Sequence, residues 1–189
     1  MPTTFHDASK PWAKIKHGLL SGYLSLFLGK LGSTSQKVFF VDGFAGSGRL
    51  GDGSEGSPLH AARLATKPRT VAGRGRLHCI NVESTVFAEL EAALAPFASS
   101  ELISNLRGDF EGHLDGILAR ASGFPALFFI DPFGTEGAES ATIKRIAART
   151  GKTEVLIRYD DTRVKRLAMW AHSNRGSLDP AQRKTAEAF

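Results

Sequence analysis

One cysteine, Cys79, stands in the whole chain of 189 residues. A lone thiol excludes an internal disulfide framework and any multi-cysteine zinc site. Long apolar runs are missing too: no stretch of about 18 apolar residues occurs, so no membrane-spanning helix is expected. The start, Met1–Lys10, lacks the apolar core of a signal peptide, and a cytoplasmic protein is the expectation. Familiar catalytic signatures are also absent. Gly-x-Ser-x-Gly does not occur, because neither Ser47 nor Ser54 has glycines at the required offsets. The six histidines are scattered without ligand-like spacing, so no metal site is expected. What is present suffices for a core. With 42% hydrophobic and 23% charged residues, the composition is that of a folded chain of about one domain.

Charge is distributed unevenly. Residues 1–140 carry 13 basic and 14 acidic side chains, whereas 141–189 carry 11 and 5, so the net charge of +5 comes from the last quarter. A basic end can be a footprint for phosphate backbones, here over residues 144–184 from Lys144, Arg145, Arg149 and Lys152 to Lys184. The alternative is a solvated helix surface.

Periodicity organises the rest. Apolar residues from Trp12 to Lys30 recur at helical spacing, with Ile15, Leu19, Leu20, Tyr23, Leu24, Phe27 and Leu28 as the candidate stripe. Five short apolar runs read as strands: 38–41, 77–82, 102–106, 126–130 and 154–159. Between them lie helical stretches, the first starting with Ser57 as N-cap and Pro58 as first helical residue and covering Leu59–Ala65. The others cover Thr85–Leu94, Glu111–Ala121 and Ser140–Arg149, with a last one at Val164–Ala171. This alternation predicts βαβ units and a mostly parallel α/β sheet in a domain over residues 1–172, followed by a polar tail at 173–189. The first four strands end at or beside an acid: Asp42, Glu83, Asp109 and Asp131. Ligands of open α/β sheets sit at the carboxyl ends of the strands, so these four carboxylates should converge on one rim.

Several motifs lie on that rim. The loop after the first strand, Asp42-Gly43-Phe44-Ala45-Gly46-Ser47-Gly48, places a carboxylate beside glycines that let a ligand approach the backbone. A P-loop is excluded, since Arg49-Leu50 stands where Lys and Ser/Thr are needed. Gly46-Ser-Gly48-Arg-Leu-Gly51 formally matches the dinucleotide pattern G-x-G-x-x-G, which keeps a nicotinamide-dependent oxidoreductase as an alternative. Glu83 is placed to accept from both ribose hydroxyls of a nucleoside cofactor, although it lies 41 residues beyond Asp42. Asp109, followed by Phe110, could accept from an exocyclic amine or serve as an ordinary turn residue. Asp131-Pro132-Phe133-Gly134 ends a wholly apolar strand with a rigid turn and an aromatic ring that could stack a flat substrate. Arg158 is unusual at the end of an apolar run; it either points at the rim or lies on the surface at the strand end.

Taken together, D-G-F-A-G-S-G, G-S-P at Gly56–Pro58, G-D-F at Gly108–Phe110, F-F-I-D-P-F-G at Phe128–Gly134 and T-E-V-L at Thr153–Leu156 resemble the three-Cys-motif partner family. Its members are similar to class I S-adenosylmethionine-dependent methyltransferases. The resemblance covers about residues 12–160. It implies a Rossmann-like methyltransferase sheet, abbreviated to about five recognisable strands where the full form has seven. It also implies S-adenosylmethionine as cofactor, with Asp42, Gly46 and Gly48 at the methionine end, Glu83 at the ribose and Asp109 at the adenine. Asp131, Pro132, Phe133 and Gly134 would line the transfer site. The cysteines of the family's name belong to a separate radical-SAM-like partner protein, which is consistent with the single Cys79. The pattern departs from amino-methylating enzymes, whose N/D-P-P-Y/F carries the aromatic one position later than Phe133. Two functions follow: methyl transfer to nucleic acid or a protein partner, or a non-catalytic role assisting the radical-SAM-like protein.

Overall fold

The computed structural model of the protein describes residues 11–67, 75–132 and 139–158. Helix α1 runs over Pro11–Leu31, strand β1 over Lys37–Asp42 and α2 over Ser57–Thr66. Strand β2 covers Arg76–Glu83, α3 Phe87–Leu94 and β3 Ile103–Arg107. The chain continues with α4 at Phe110–Ala121, β4 at Ala126–Ile130, α5 at Ser140–Ala147 and β5 at Thr153–Ile157. The five strands form one sheet in the order β3-β2-β1-β4-β5, with every neighbouring pair parallel. This is the expected Rossmann-like α/β architecture. The expected helix at 164–171 and the tail at 173–189 lie outside the described residues. No described helix is long and apolar enough to cross a membrane.

Parallel strands need a crossover between them and are therefore covered on both faces, so their sequences read as continuous apolar runs. On one face Val38, Phe40, Leu77, Cys79, Leu127 and Phe129 pack against α1 and α2. On the other, Phe39, Val41, Ile80, Val82, Phe128 and Ile130 pack against α4 and α5. Phe40 and Phe128 have no exposed surface, and truncating either to Ala should cost about 3–5 kcal/mol.

Three local expectations are corrected. The buried stripe of α1 is Leu20, Leu24, Phe27, Leu28 and Leu31, while Leu19 and Tyr23 face outward. Tyr23 instead donates a short hydrogen bond to Glu154 of β5. Ser57 is not the N-cap of α2: Gly56 is, with extended backbone and its carbonyl accepting from His60 at 3.2 Å. Position 56 has no room for a side chain, since a Cβ on Gly56 would lie 2.9 Å from the carbonyl oxygen of Gly48. Helix α3 begins at Phe87 rather than Thr85, because the Glu83 carboxylate holds the N–H groups of Thr85 and Val86 in a turn.

Candidate functional site

The strand order reverses beside β1. From β1 the chain winds outward through β2 to β3, then returns across β1 to β4 and β5. The carboxyl ends of β1 and β4 are the topological switch point, the place at which open α/β sheets bind ligands. Asp42 ends β1 and Asp131 follows β4 at that switch point, while Glu83 ends β2 and Asp109 follows β3 at the same edge of the sheet. The convergence expected of the four acids is therefore what parallel pairing produces.

The loop from Gly43 to Gly48 is sewn down at several points. Gly43 N–H donates to the Phe129 carbonyl at 3.0 Å, and Ala45 N–H to the Val82 carbonyl at 3.0 Å. Gly46 N–H donates to Glu83 Oε2 at 2.8 Å. Asp42, fully buried, accepts from Phe44 N–H at 3.3 Å. Gly46 and Gly48 have φ of +61° and +78°, in the left-handed region open to glycine, and a Cβ at Gly46 would meet nothing within 4 Å. The loop is thus preshaped, with open space over Gly46.

Glu83 organises this part of the rim. Its Oε1 accepts from Thr85 at 2.7 Å and Val86 at 3.1 Å, and its Oε2 from Gly46. A carboxylate offers about four acceptor positions, so a ribose would have to share Oε2 with the loop. No sequence signal pointed to this tether, which joins residues 37 positions apart.

The remaining expected site residues fall into two groups. Asp109 is the N-cap of α4, its Oδ1 accepting from Gly112 N–H at 2.7 Å, and its side chain is exposed. Phe110 is buried in the core on the α4 side, packed 6.0 Å from the ring of Phe44, and both it and Ile130 lie under Gly43. It therefore supports the loop from below. Asp131 is partly buried, and Arg158 Nη1 lies 3.4 Å from its Oδ1. Arg158 also donates its backbone N–H to the Ile130 carbonyl, which draws the end of β5 against β4. Of the two readings of Arg158, the structure supports the one that points it at the rim. Pro132 is buried; Phe133 and Gly134 lie outside the described residues.

After Gly48 the chain makes a small antiparallel turn, with a bridge between Arg49 and Glu55 and a 2.9 Å bond from Leu50 N–H to the Ser54 carbonyl. Gly51, the last glycine of the formal dinucleotide pattern, lies in this turn rather than opening α2. The fingerprint needs its glycines to lead directly into the helix, so this geometry does not fit it.

In the basic region, Arg145 and Arg149 are used internally, as Arg158 is. Arg145 pairs with Glu111 and Asp115 of α4. Arg149 donates to the carbonyls of Ala121 and Phe124 and, at 2.8 Å, to Thr153 Oγ1; burial lowers its pKa. Lys144 and Lys152 are exposed. Arg163, Lys165, Arg166, Arg183 and Lys184 lie outside the described residues.

No protein-family model matches the chain, and no curated protein matches it. Among solved structures, the candidate methyltransferase YhhF of Escherichia coli aligns over 80% of this chain and 73% of that one, at 18% identity and a TM-score of 0.46. A conserved hypothetical protein of Streptococcus pyogenes aligns over 66% of each chain, at 21% identity and a TM-score of 0.39, so this chain spans just under two thirds of its length.

Proposed function

We propose that the protein binds S-adenosylmethionine at the β1–β4 switch point and transfers its methyl group to an acceptor presented beside Asp131. The observation that carries this reading is the rim itself. A preshaped glycine loop is tied to an acid on the next strand, and carboxylates stand at or just beyond the ends of four of the five strands. In this assignment Asp42 and the Gly43–Gly48 loop hold the methionine end, Glu83 the ribose and Asp109 the adenine. Asp131, Pro132, Phe133 and Gly134 are assigned to the transfer site on the sequence resemblance.

When bound, the cofactor supplies an electrophilic methyl group, and displacement at that carbon needs positioning more than covalent help. This chain contributes carboxylates that attract a sulfonium, and a loop that fixes the donor's orientation. Arg158 beside Asp131 helps to position the carboxylate, which can accept from an amine. Internal use of Arg145 and Arg149 reduces the cations on offer to a phosphate backbone and favours a protein acceptor over nucleic acid. The three-Cys-motif radical-SAM-like protein is the corresponding partner candidate.

Calorimetry on the purified protein tests the cofactor assignment. S-adenosylmethionine and S-adenosylhomocysteine should bind with Kd in the micromolar range, on the order of −8 kcal/mol. No heat with either, together with tight binding of NAD, would overturn it. Once an acceptor is found, Asp131→Ala should abolish turnover and leave cofactor affinity within about threefold.

A further inference from the structure

Beneath the glycine loop runs a row of polar side chains with no role in the site so far. Asn105, Asn81 and Asp42 are in register across β3, β2 and β1, so they share one face of the sheet. The row two residues below them, Ile103, Cys79 and Phe40, is apolar. Asn81 and Asp42 are both fully buried. That Asp42 faces this side is seen independently at Cys79, whose thiol pKa is raised first by burial and then by the charge of Asp42.

Asn81 Nδ2 donates to Asn105 Oδ1 at 2.9 Å, and Asn81 Oδ1 is buried with no hydrogen-bond partner among the described residues. A buried acceptor left open costs free energy, and more so in a low-dielectric interior beside a carboxylate. Turning both amides by 180° reverses the row. Asn105 would then donate to Asn81, and Asn81 would have its own N–H to offer Asp42, its register partner on the next strand.

We infer that Asn81, supported by Asn105, is a positioning residue for Asp42: its amide steadies the buried carboxylate from below, and that carboxylate, accepting from Phe44 N–H, holds the glycine loop in the shape that meets the amino-acid end of the ligand. Phe44 N–H holds Oδ1 from the loop side, and a second donor from β2 fixes the plane of the carboxylate. A carboxylate with two fixed donors is oriented before the ligand arrives, which lowers the ordering cost of binding. The inference rests on the assignment of Asp42 to the methionine end of the cofactor.

The test compares two probes that differ only in that end. S-adenosylhomocysteine carries the amino-acid moiety; 5′-methylthioadenosine keeps the adenine, ribose and sulfur and lacks it. Asn81→Leu should weaken S-adenosylhomocysteine by about tenfold or more, and Asn105→Ala by about threefold, while 5′-methylthioadenosine binds both variants as it binds wild type. Asn105 is only partly buried, so Asn105→Ala keeps the test available if Asn81→Leu does not fold. Equal weakening of both probes would show a merely structural row, and no weakening of either would show no role; each result overturns the inference. If wild type binds neither probe, the cofactor assignment falls and the inference falls with it.

Discussion

Replacing Glu83 by Gln separates its two mechanical tasks. The carboxylate accepts from Gly46 on one oxygen and from Thr85 and Val86 on the other. A Gln amide accepts at only one end, and the end serving two donors should keep the oxygen. The NH₂ group then faces Gly46 N–H, donor against donor, and the loop loses its tether while the turn before α3 survives. The half-buried site lets water take over part of the lost bond, so the stability cost should be about 1 kcal/mol, or about 2–4 °C in Tm for a domain of this size. Glu83→Ala removes all three bonds and should cost about 2–4 kcal/mol. Amide hydrogen exchange reads the difference directly. In Glu83→Gln the Gly46 amide should lose protection while Thr85 and Val86 keep theirs; in Glu83→Ala all three should exchange faster. S-adenosylhomocysteine affinity should fall at least tenfold in both variants, because each disturbs the loop and the acceptor offered to the ribose. Unchanged Gly46 protection in Glu83→Gln, or a Tm equal to that of Glu83→Ala, would refute the division of labour between the two oxygens.

Other substitutions probe the loop, the basic region and an acid-sensitive contact. Gly48→Ala must adopt φ near +78° and brings its Cβ to 3.2 Å from that of Ala93, so it should lower stability by about 1–3 kcal/mol in a denaturant titration. Gly46→Ala, with open space around it, should cost only the backbone strain, about 1 kcal/mol. Arg149→Ala takes the donor from the Phe124 carbonyl and one of two donors from the Ala121 carbonyl, which keeps the Phe124 N–H, and should destabilise by about 1–3 kcal/mol without changing the salt dependence of any nucleic-acid binding. A drop in that salt slope would instead show Arg149 touching phosphate. Glu55 has its pKa lowered first by its hydrogen bond from Arg63. A depressed carboxylate stabilises above its unfolded pKa near 4.5, and that contribution fades as pH falls through the folded value. The acid-side loss of Tm should therefore be smaller in Arg63→Gln than in wild type, measured by thermal melts between about pH 6 and 3.

Residue order alone sets whatever depends on short-range pattern. Runs such as Ala126–Ile130 are apolar at every position because strands covered on both faces have no solvent side, and that property is local. Alternation with helical stretches then implied parallel pairing, and parallel pairing alone carries Asp42, Glu83, Asp109 and Asp131 to one edge. The chain could not say which of those acids serve the fold. Asp109 caps α4 within three residues, a contact visible to local reasoning. Glu83 reaches Gly46 across 37 residues, and Asn81 reaches Asn105 across 24, through strand order and register that no spacing encodes. The inward and outward faces of α1 were likewise decided by the sheet, since Leu19 and Leu20 are equally apolar and only packing chose Leu20. Arg149 shows the same limit in charge. In sequence it is one of 11 basic residues in a cationic stretch, yet the tertiary structure spends its charge on the carbonyls that close α4. Composition counts charges, but only three-dimensional proximity determines which of them are already paired.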